Sequence, residues 1–102
     1  MITRDAAARQ TLTLHGRVDV RSTGALRMRL HHAIDAGQGE LALDVARLEL
    51  GDHAGLGVLL GAARRARGRG RSLVLLDTPH SIAGPLRTSS LAGLLRIEPA
   101  MA

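Results

Sequence analysis

Three apolar stretches with the pattern of β-strands alternate with stretches of helical periodicity, and this alternation most constrains the fold. A strand, a helix and a second strand of the same sheet require a crossover connection, which is right-handed and makes the two strands parallel. We therefore predict an α/β domain with a mixed, mostly parallel sheet of four to five strands packed with three to four helices. The predicted strands are residues 11–20, 40–50 and 72–76, and the predicted helices are residues 22–37, 54–67 and a stretch after Pro79.

The second strand, ELALDVARLEL, changes phase within its apolar pattern. Leu41, Leu43 and Val45 alternate on one face, whereas Leu48 and Leu50 continue the pattern out of step after Arg47. One extra residue in a strand produces such a shift and forms a β-bulge. The pattern therefore predicts a bulge near Arg47.

The helical stretches carry signals for their ends and for their buried faces. Ser22 or Thr23 is placed to cap the first helix, and Gly37 to end it. Its predicted buried residues are Leu26, Leu30, Ala33 and Ile34, and those of the second helix are Leu56, Leu59, Leu60 and Ala63. Pro85 predicts an irregular third helix, after which LAGLLRI, residues 91–97, packs back on the sheet.

Composition limits the class of protein. The chain has 102 residues, which suits one domain, and it contains no Phe, Tyr, Trp or Cys. Without aromatic platforms, recognition of single-stranded nucleic acid is disfavoured, and without cysteine there is no disulfide framework or thiolate site. Neither a signal peptide nor a membrane span is visible, so we expect a cytoplasmic protein. We also expect that it binds no nucleic acid and needs no cofactor.

Polar residues follow each predicted strand, and in a parallel sheet the loops that carry them share one edge. These residues are Asp19, then Asp52 and His53, then the segment from Asp77 to His80. His53 and His80, together with Asp19 and Asp52, supply nitrogen and oxygen atoms that could bind a metal. A metal-binding or nucleotide-binding enzyme therefore stays open as one interpretation. His31 and His32 are adjacent on a helix and do not form a ligand pair.

The segment GLGVLLG, with Gly55, Gly57 and Gly61, resembles a dinucleotide-binding loop because it follows a strand and has Asp77 about twenty residues on. Its third glycine comes one residue too late, and the carboxylate of Asp52 would repel a pyrophosphate. Close packing of a helix on the sheet is the better explanation of Gly55 and Gly57. For hydrolysis, neither Ser81, Ser89 nor Ser90 lies on a glycine-flanked turn between strand and helix, so no catalytic residue is predicted.

The basic run RRARGRGR, residues 64–71, has two interpretations. It could bind phosphates of nucleic acid or anionic lipid. It could equally be a cationic helix end followed by a glycine-rich turn into the next strand, and this second interpretation explains every residue without a ligand.

Taken in order, LTLHGRVDV, LALDVARLELGDHAGLGVLLG and LRTSSLAGLLRI resemble the STAS domain of bacterial anti-sigma-factor antagonists. The resemblance covers residues 11–97, so residues 11–102 are assigned to a STAS-like domain and residues 1–10 to a poorly matched segment with a possible short edge strand. The family's signature loop is similar to Asp52, His53, Ala54, Gly55, Leu56 and Gly57, and its earlier turn to the segment that ends in Asp19.

The resemblance implies a protein-binding module without catalytic activity. Such an antagonist captures an anti-sigma factor, often a serine kinase, by partner switching and so frees a sigma factor for transcription. Phosphorylation of the signature-loop serine ends the capture. By resemblance His53 occupies that phosphoserine position, so the partner-binding residues are Asp19 and residues 52–57, and the phosphorylatable hydroxyl is missing.

Three further points stay open after this comparison. Stand-alone STAS domains also resemble this chain as accessory subunits of ABC-type lipid transporters, which dock on an ATPase and need no phosphoserine. Gly51 departs from the bulky apolar residue usual at that position, and the sequence does not decide whether the protein forms a homodimer.

Overall fold

The computed structural model describes residues 10–88, 93 and 95–99, which form four strands and three helices. The elements are β1 (Gln10–Val18), α1 (Thr23–Ala36), β2 (Glu40–Leu50), α2 (Ala54–Gly68), β3 (Ser72–Thr78), α3 (His80–Thr88) and β4 (Leu95–Pro99). The predicted α/β alternation is confirmed. The edge strand expected within residues 1–10 lies outside the described residues, apart from Gln10, which begins β1.

The sheet has the strand order β1-β2-β3-β4, and each neighbouring pair is parallel. The register of β1 against β2 shifts between Thr13 and His15, whose partners are Asp44 and Arg47, so β2 carries one extra residue there. Oδ1 of Asp44 accepts a hydrogen bond from the backbone N–H of Ala46 at 3.1 Å within this irregular segment. The bulge predicted near Arg47 is confirmed.

All three helices pack on one face of the sheet. Consecutive strand order with right-handed crossovers places successive helices on the same side. A single core cluster accordingly joins residues of the three helices to Leu41, Leu43, Leu73 and Leu75, whereas the buried Ala42 and Val74, which alternate with them, are not in it. Within the described residues the other face carries no helix, and parallel sheets are more often covered on both faces.

The sequence placed the buried face of α1 correctly and that of α2 only in part. Leu26, Leu30, Ala33 and Ile34 are the buried residues of α1. In α2 the buried residues are Gly55, Val58, Leu59, Ala62, Ala63 and Ala66. Leu56 and Leu60, expected in the core, lie half-buried at its margin, because small residues bring the helix close to the sheet and turn the larger leucines outward.

Two helix-end predictions need correction. Ser22 is the N-cap residue of α1 but makes no side-chain cap bond to the helix. Pro85 does not interrupt α3, which runs through it to Thr88. The helix is held at its start by the carbonyl of Pro79, which accepts hydrogen bonds from Ile82 and Ala83 at 2.9 and 2.8 Å. Within the described residues, no helix is long and apolar enough to cross a bilayer.

Arg71, directly before β3, binds the C-terminal end of α1 through its side chain. Its side chain is buried, and burial lowers the pKa of its guanidinium. Nη1 donates to the carbonyls of Ala33 and Ile34 at 2.9 and 2.8 Å, and Nε donates to the carbonyl of Gly39 at 2.9 Å. Nη2 donates to Oε1 of Gln10 and to the carbonyl of Gln38. All five N–H groups of the guanidinium therefore have acceptors.

Gly37 leaves room for this arrangement. It ends α1 with an extended backbone, and a Cβ at this position would collide with the Gln10 side chain and come within 3.2 Å of both Nη atoms of Arg71. The predicted stop at Gly37 is thus confirmed at the right residue, but its cause is a close approach and not a left-handed turn.

Candidate functional site

The loops that follow β1 and β2 lie together at the carboxyl edge of the sheet, where the parallel topology places them. The backbone N–H of Gly51 donates to the carbonyl of Val18 at 2.7 Å, which joins the last residue of β1 to the loop after β2. This contact extends the strand pairing into the loops, and the residues that follow β1 and β2 are therefore neighbours.

Asp19 organises the loop between β1 and α1. Oδ1 of Asp19 accepts from the backbone N–H of Arg21 at 2.9 Å, and the Asp19 backbone N–H donates to Oγ of Ser22 at 3.0 Å. Its carbonyl accepts from the N–H groups of Ser22 and Thr23 at 3.0 and 3.1 Å. The resulting closed turn leaves Val20 70% exposed.

Asp52 fastens the two loops to each other. Its Oδ2 accepts from the backbone N–H of Val20 at 3.0 Å, and its Oδ1 accepts from the backbone N–H of Ala54 at 3.0 Å. The second bond satisfies an N–H group of the first turn of α2, so the side chain acts as the helix cap. Both carboxylate oxygens are therefore occupied by backbone, which makes Asp52 a positioning residue.

His53 is exposed at the beginning of α2. Its backbone is already helical, with φ −73° and ψ −13°, and its side chain makes no cap hydrogen bond. Its carbonyl accepts from the N–H of Gly57 at 3.3 Å, the first helical bond. Because Asp52 takes the capping role, the imidazole is left accessible from solvent.

The remaining predicted site residues divide into exposed and packed positions. Gly57 is exposed, and a Cβ added there would meet nothing within 4 Å. Ala54 and Leu56 are half-buried, and Gly55 is buried with the Leu50 side chain so near that a Cβ would come within 2.7 Å of it. Close helix packing therefore explains Gly55 but not Gly57.

Gly51 leaves room for the side chain of Arg17. A Cβ at position 51 would come within 2.9 Å of Nε and Nη2 of Arg17, whose guanidinium crosses the backbone there. Nη1 of Arg17 also lies 3.7 Å from Oε2 of Glu49. Gly51 stands where a bulky apolar residue is usual, and the side chain of Arg17 on the neighbouring strand lies in the space beside it.

The structure does not bring the proposed metal ligands together. Among the described residues, no three His, Asp or Glu side chains form a group that could hold a metal ion. The oxygens of Asp52 are already used, and Asp77 is exposed with a left-handed backbone at φ 52°. The metal site expected from His53 and His80 therefore has no support among the described residues.

The basic run also separates into different roles. Arg65 and Arg69 of the run bind the Asp35 carboxylate at the end of α1, at 2.7 and 2.8 Å. The hydrogen bond from Arg65 is the main cause that holds the pKa of Asp35 below its ordinary value, and both guanidinium charges add to it. With Arg71 buried, only Arg64 and Arg67 of the run stand exposed without such a contact.

Sequence reasoning missed one feature of this edge. Val20 is an exposed apolar residue between Asp19 and Arg21, and it was assigned to the end of the first strand. Its position two residues before Ser22, the N-cap residue of α1, was the available signal, since a residue in a tight turn has no sheet face to occupy.

One family model, described as "Mlab, STAS domain", matches residues 2–96. Comparison of the sequence with curated proteins gave no significant match.

Solved structures resemble the fold closely. The anti-sigma factor antagonist SpoIIAA in its unphosphorylated form is 20% identical, with a TM-score of 0.69 over 99% of this chain and 86% of that one. The Bacillus cell fate determinant SpoIIAA in its phosphorylated form is 22% identical, with a TM-score of 0.66 over 95% and 86%. A sulfate transporter family protein from Wolinella succinogenes is 18% identical, with a TM-score of 0.72 over 92% and 79%.

The TM-scores of these structures establish a shared fold, and the family model adds a match of the sequence itself. Because that model extends over residues 2–96, the chain belongs to the STAS domain family.

Proposed function

We propose that the chain is a protein-binding module that captures an anti-sigma factor of the serine-kinase type and so regulates transcription. The contact is made by the carboxyl-edge surface, which we define as Val20, Asp52, His53, Leu56 and Gly57, with Asp19 beneath it. The proposal rests on one observation, the attachment of both loops to Asp52, which fixes the exposed Val20 and His53 before any partner arrives.

Preorganisation is what makes this surface suitable for binding. Ordering a loop on association reduces affinity, and a loop that is already held by backbone hydrogen bonds avoids most of that loss. An exposed apolar side chain beside an exposed imidazole also gives a partner both an apolar and a polar contact. Nothing in this role requires a catalytic group.

The residue at position 53 determines how the capture is regulated. An imidazole offers no hydroxyl to a serine kinase, and the hydroxyl of Ser22 in the adjoining loop is hydrogen-bonded to the backbone of Asp19. We expect this module to keep its binding surface while lacking the phosphoserine switch. Capture is then constitutive or is controlled at another site.

Affinity purification with three forms of the protein tests the proposal. The wild type and His53→Asp are compared with His32→Asp, which places the same charge at an exposed histidine on α1. A negative charge in the contact should weaken capture, so the partner should be lost with His53→Asp and retained with His32→Asp. Equal recovery with both variants would exclude this surface from the interface.

Incubation with the captured kinase and ATP tests the missing switch separately. Intact-mass analysis should show no added phosphate on the wild type. A phosphate mapped to residues 51–57 would contradict the expected loss of the switch, and it would leave the binding proposal standing.

A second role is favoured by the family match. The matching model is described by Mlab, and docking on the ATPase of an ABC-type lipid transporter, as expected for the stand-alone STAS domains that this chain resembles, is the alternative. In that role a serine at position 53 is unnecessary. Capture of an ATPase together with its permease, in place of a kinase, would decide for this alternative.

A further inference from the structure

A cleft between β1 and α1 lies outside the carboxyl-edge surface. Its volume is about 180 Å³. Its buried apolar lining consists of Leu14, Val18, Leu26 and Leu48, which are at most 7% exposed, and the exposed Ala25 also lines it. The cleft therefore opens directly onto the hydrophobic core.

The rim of this cleft is basic. His15 and Arg17 of β1 and Arg29 of α1 line it, and no acidic residue does. The guanidinium of Arg29 makes one long hydrogen bond, 3.5 Å from Nη2 to the carbonyl of Thr13. Arg17 lies 3.7 Å from Glu49, and both side chains are more than half exposed, so that pair neutralises little charge. Arg29 thus keeps most of its donors for another group, whereas the guanidinium of Arg17 lies against Gly51 and Glu49.

We propose that this cleft binds a small amphiphilic anion, a monocarboxylate with a short aliphatic chain. The apolar floor would take the chain, and the guanidinium group of Arg29 would bind the carboxylate, for which its fork of N–H donors is well suited. This site adds to the proposed function and does not depend on it, since none of the residues of the carboxyl-edge surface lines the cleft.

The volume sets the size of the ligand. An apolar protein cavity of about 150 Å³ accommodates benzene, which has six carbon atoms. A cleft of about 180 Å³ therefore suits a ligand of about six to eight non-hydrogen atoms. Hexanoate falls within this range and serves as the probe.

Isothermal titration with hexanoate tests the proposal directly. The same titration with 1-hexanol and with hexylammonium keeps the chain and removes or inverts the charge. Hexanoate should bind more tightly than both, and more weakly as salt increases, because the carboxylate contacts are near solvent. Equal affinity for the three compounds, or no measurable binding of hexanoate, would overturn the proposal.

Two pairs of variants locate the bound ligand. Arg29→Gln should weaken hexanoate binding about tenfold, as expected for loss of one charge-assisted hydrogen bond, while Arg27→Gln on the same helix, outside the cleft, should not. Ala25→Phe fills the cleft from an exposed helix position and should abolish binding, whereas Ala36→Phe should leave it unchanged.

Circular dichroism confirms that each variant is folded before the titration. If the paired variants behaved alike, the ligand would be bound elsewhere and the assignment of this cleft would be wrong.

Discussion

Replacing Arg71 by lysine should destabilise the protein strongly, although the charge is retained. The side chain is 5% exposed, and its five N–H groups donate to five acceptors at the end of α1 and around it. Lysine has three donors on a single nitrogen, so at least two of these acceptors lose their partner. Four of the five are backbone carbonyls, which cannot turn away to find another donor.

The size of the effect follows from the lost bonds. Each of two charge-assisted hydrogen bonds contributes about 1 to 1.5 kcal/mol net, which gives a loss of about 2 to 3 kcal/mol in the free energy of unfolding. The value per bond lies below the usual range of about 1.5 to 3 kcal/mol for a hydrogen bond to a charged group, because burial of the guanidinium, which also lowers its pKa, already opposes the interaction. For 102 residues this corresponds to a decrease in Tm of roughly 10 to 14 °C.

Urea unfolding followed by far-ultraviolet circular dichroism measures this change, since the chain has no aromatic residue to report by fluorescence. Arg67→Lys is the matched control, because Arg67 is exposed near the end of α2. It should change stability by less than about 0.5 kcal/mol. An Arg71→Lys variant as stable as this control would show that the five contacts do not hold the end of α1.

Two other predictions use the same measurement. Asp35→Asn should reduce the loss of stability at acid pH. The folded-state pKa of Asp35 is lowered, so its carboxylate stabilises the fold at pH values above its ordinary pKa of 3.8. This contribution is lost as the pH falls through the lowered pKa. An unchanged acid slope would contradict this. Gly57→Ala should stabilise α2 by about 0.5 to 1 kcal/mol, because the new Cβ would lie in open space. Gly55→Ala should stabilise it by clearly less, because the Cβ there would meet the Leu50 side chain. Equal gains in stability would exclude close packing at Gly55.

The fold was predictable where the sequence pattern reflects one local period. The alternation of strands and helices, the shared loop edge and the bulge near Arg47 all follow from apolar residues a few positions apart. The prediction of the buried face of α2 was less accurate, because Leu56 and Leu60 are more hydrophobic than alanine and were therefore expected in the core. What decides burial there is the closeness of the helix to the sheet, which favours Ala62 and Ala66 and is not visible in the period.

The site was predictable as a set of positions but not as a set of interactions. That Asp19, Asp52 and His53 share one edge follows from topology alone. The hydrogen bond from the backbone of Val20 to Asp52, 32 positions away, does not follow from topology, because it depends on how two loops meet after folding. Arg71 shows the same limit: it read as one more cation in a basic run, whereas its partners in α1 lie 37 and 38 positions earlier.

The strand order has a consequence for how the protein is made. Each described strand pairs with the one before it in the sequence, and none is inserted later between two earlier neighbours. As the chain leaves the ribosome, each new strand can therefore add to an edge that is already in place, so the sheet can grow in the order of synthesis.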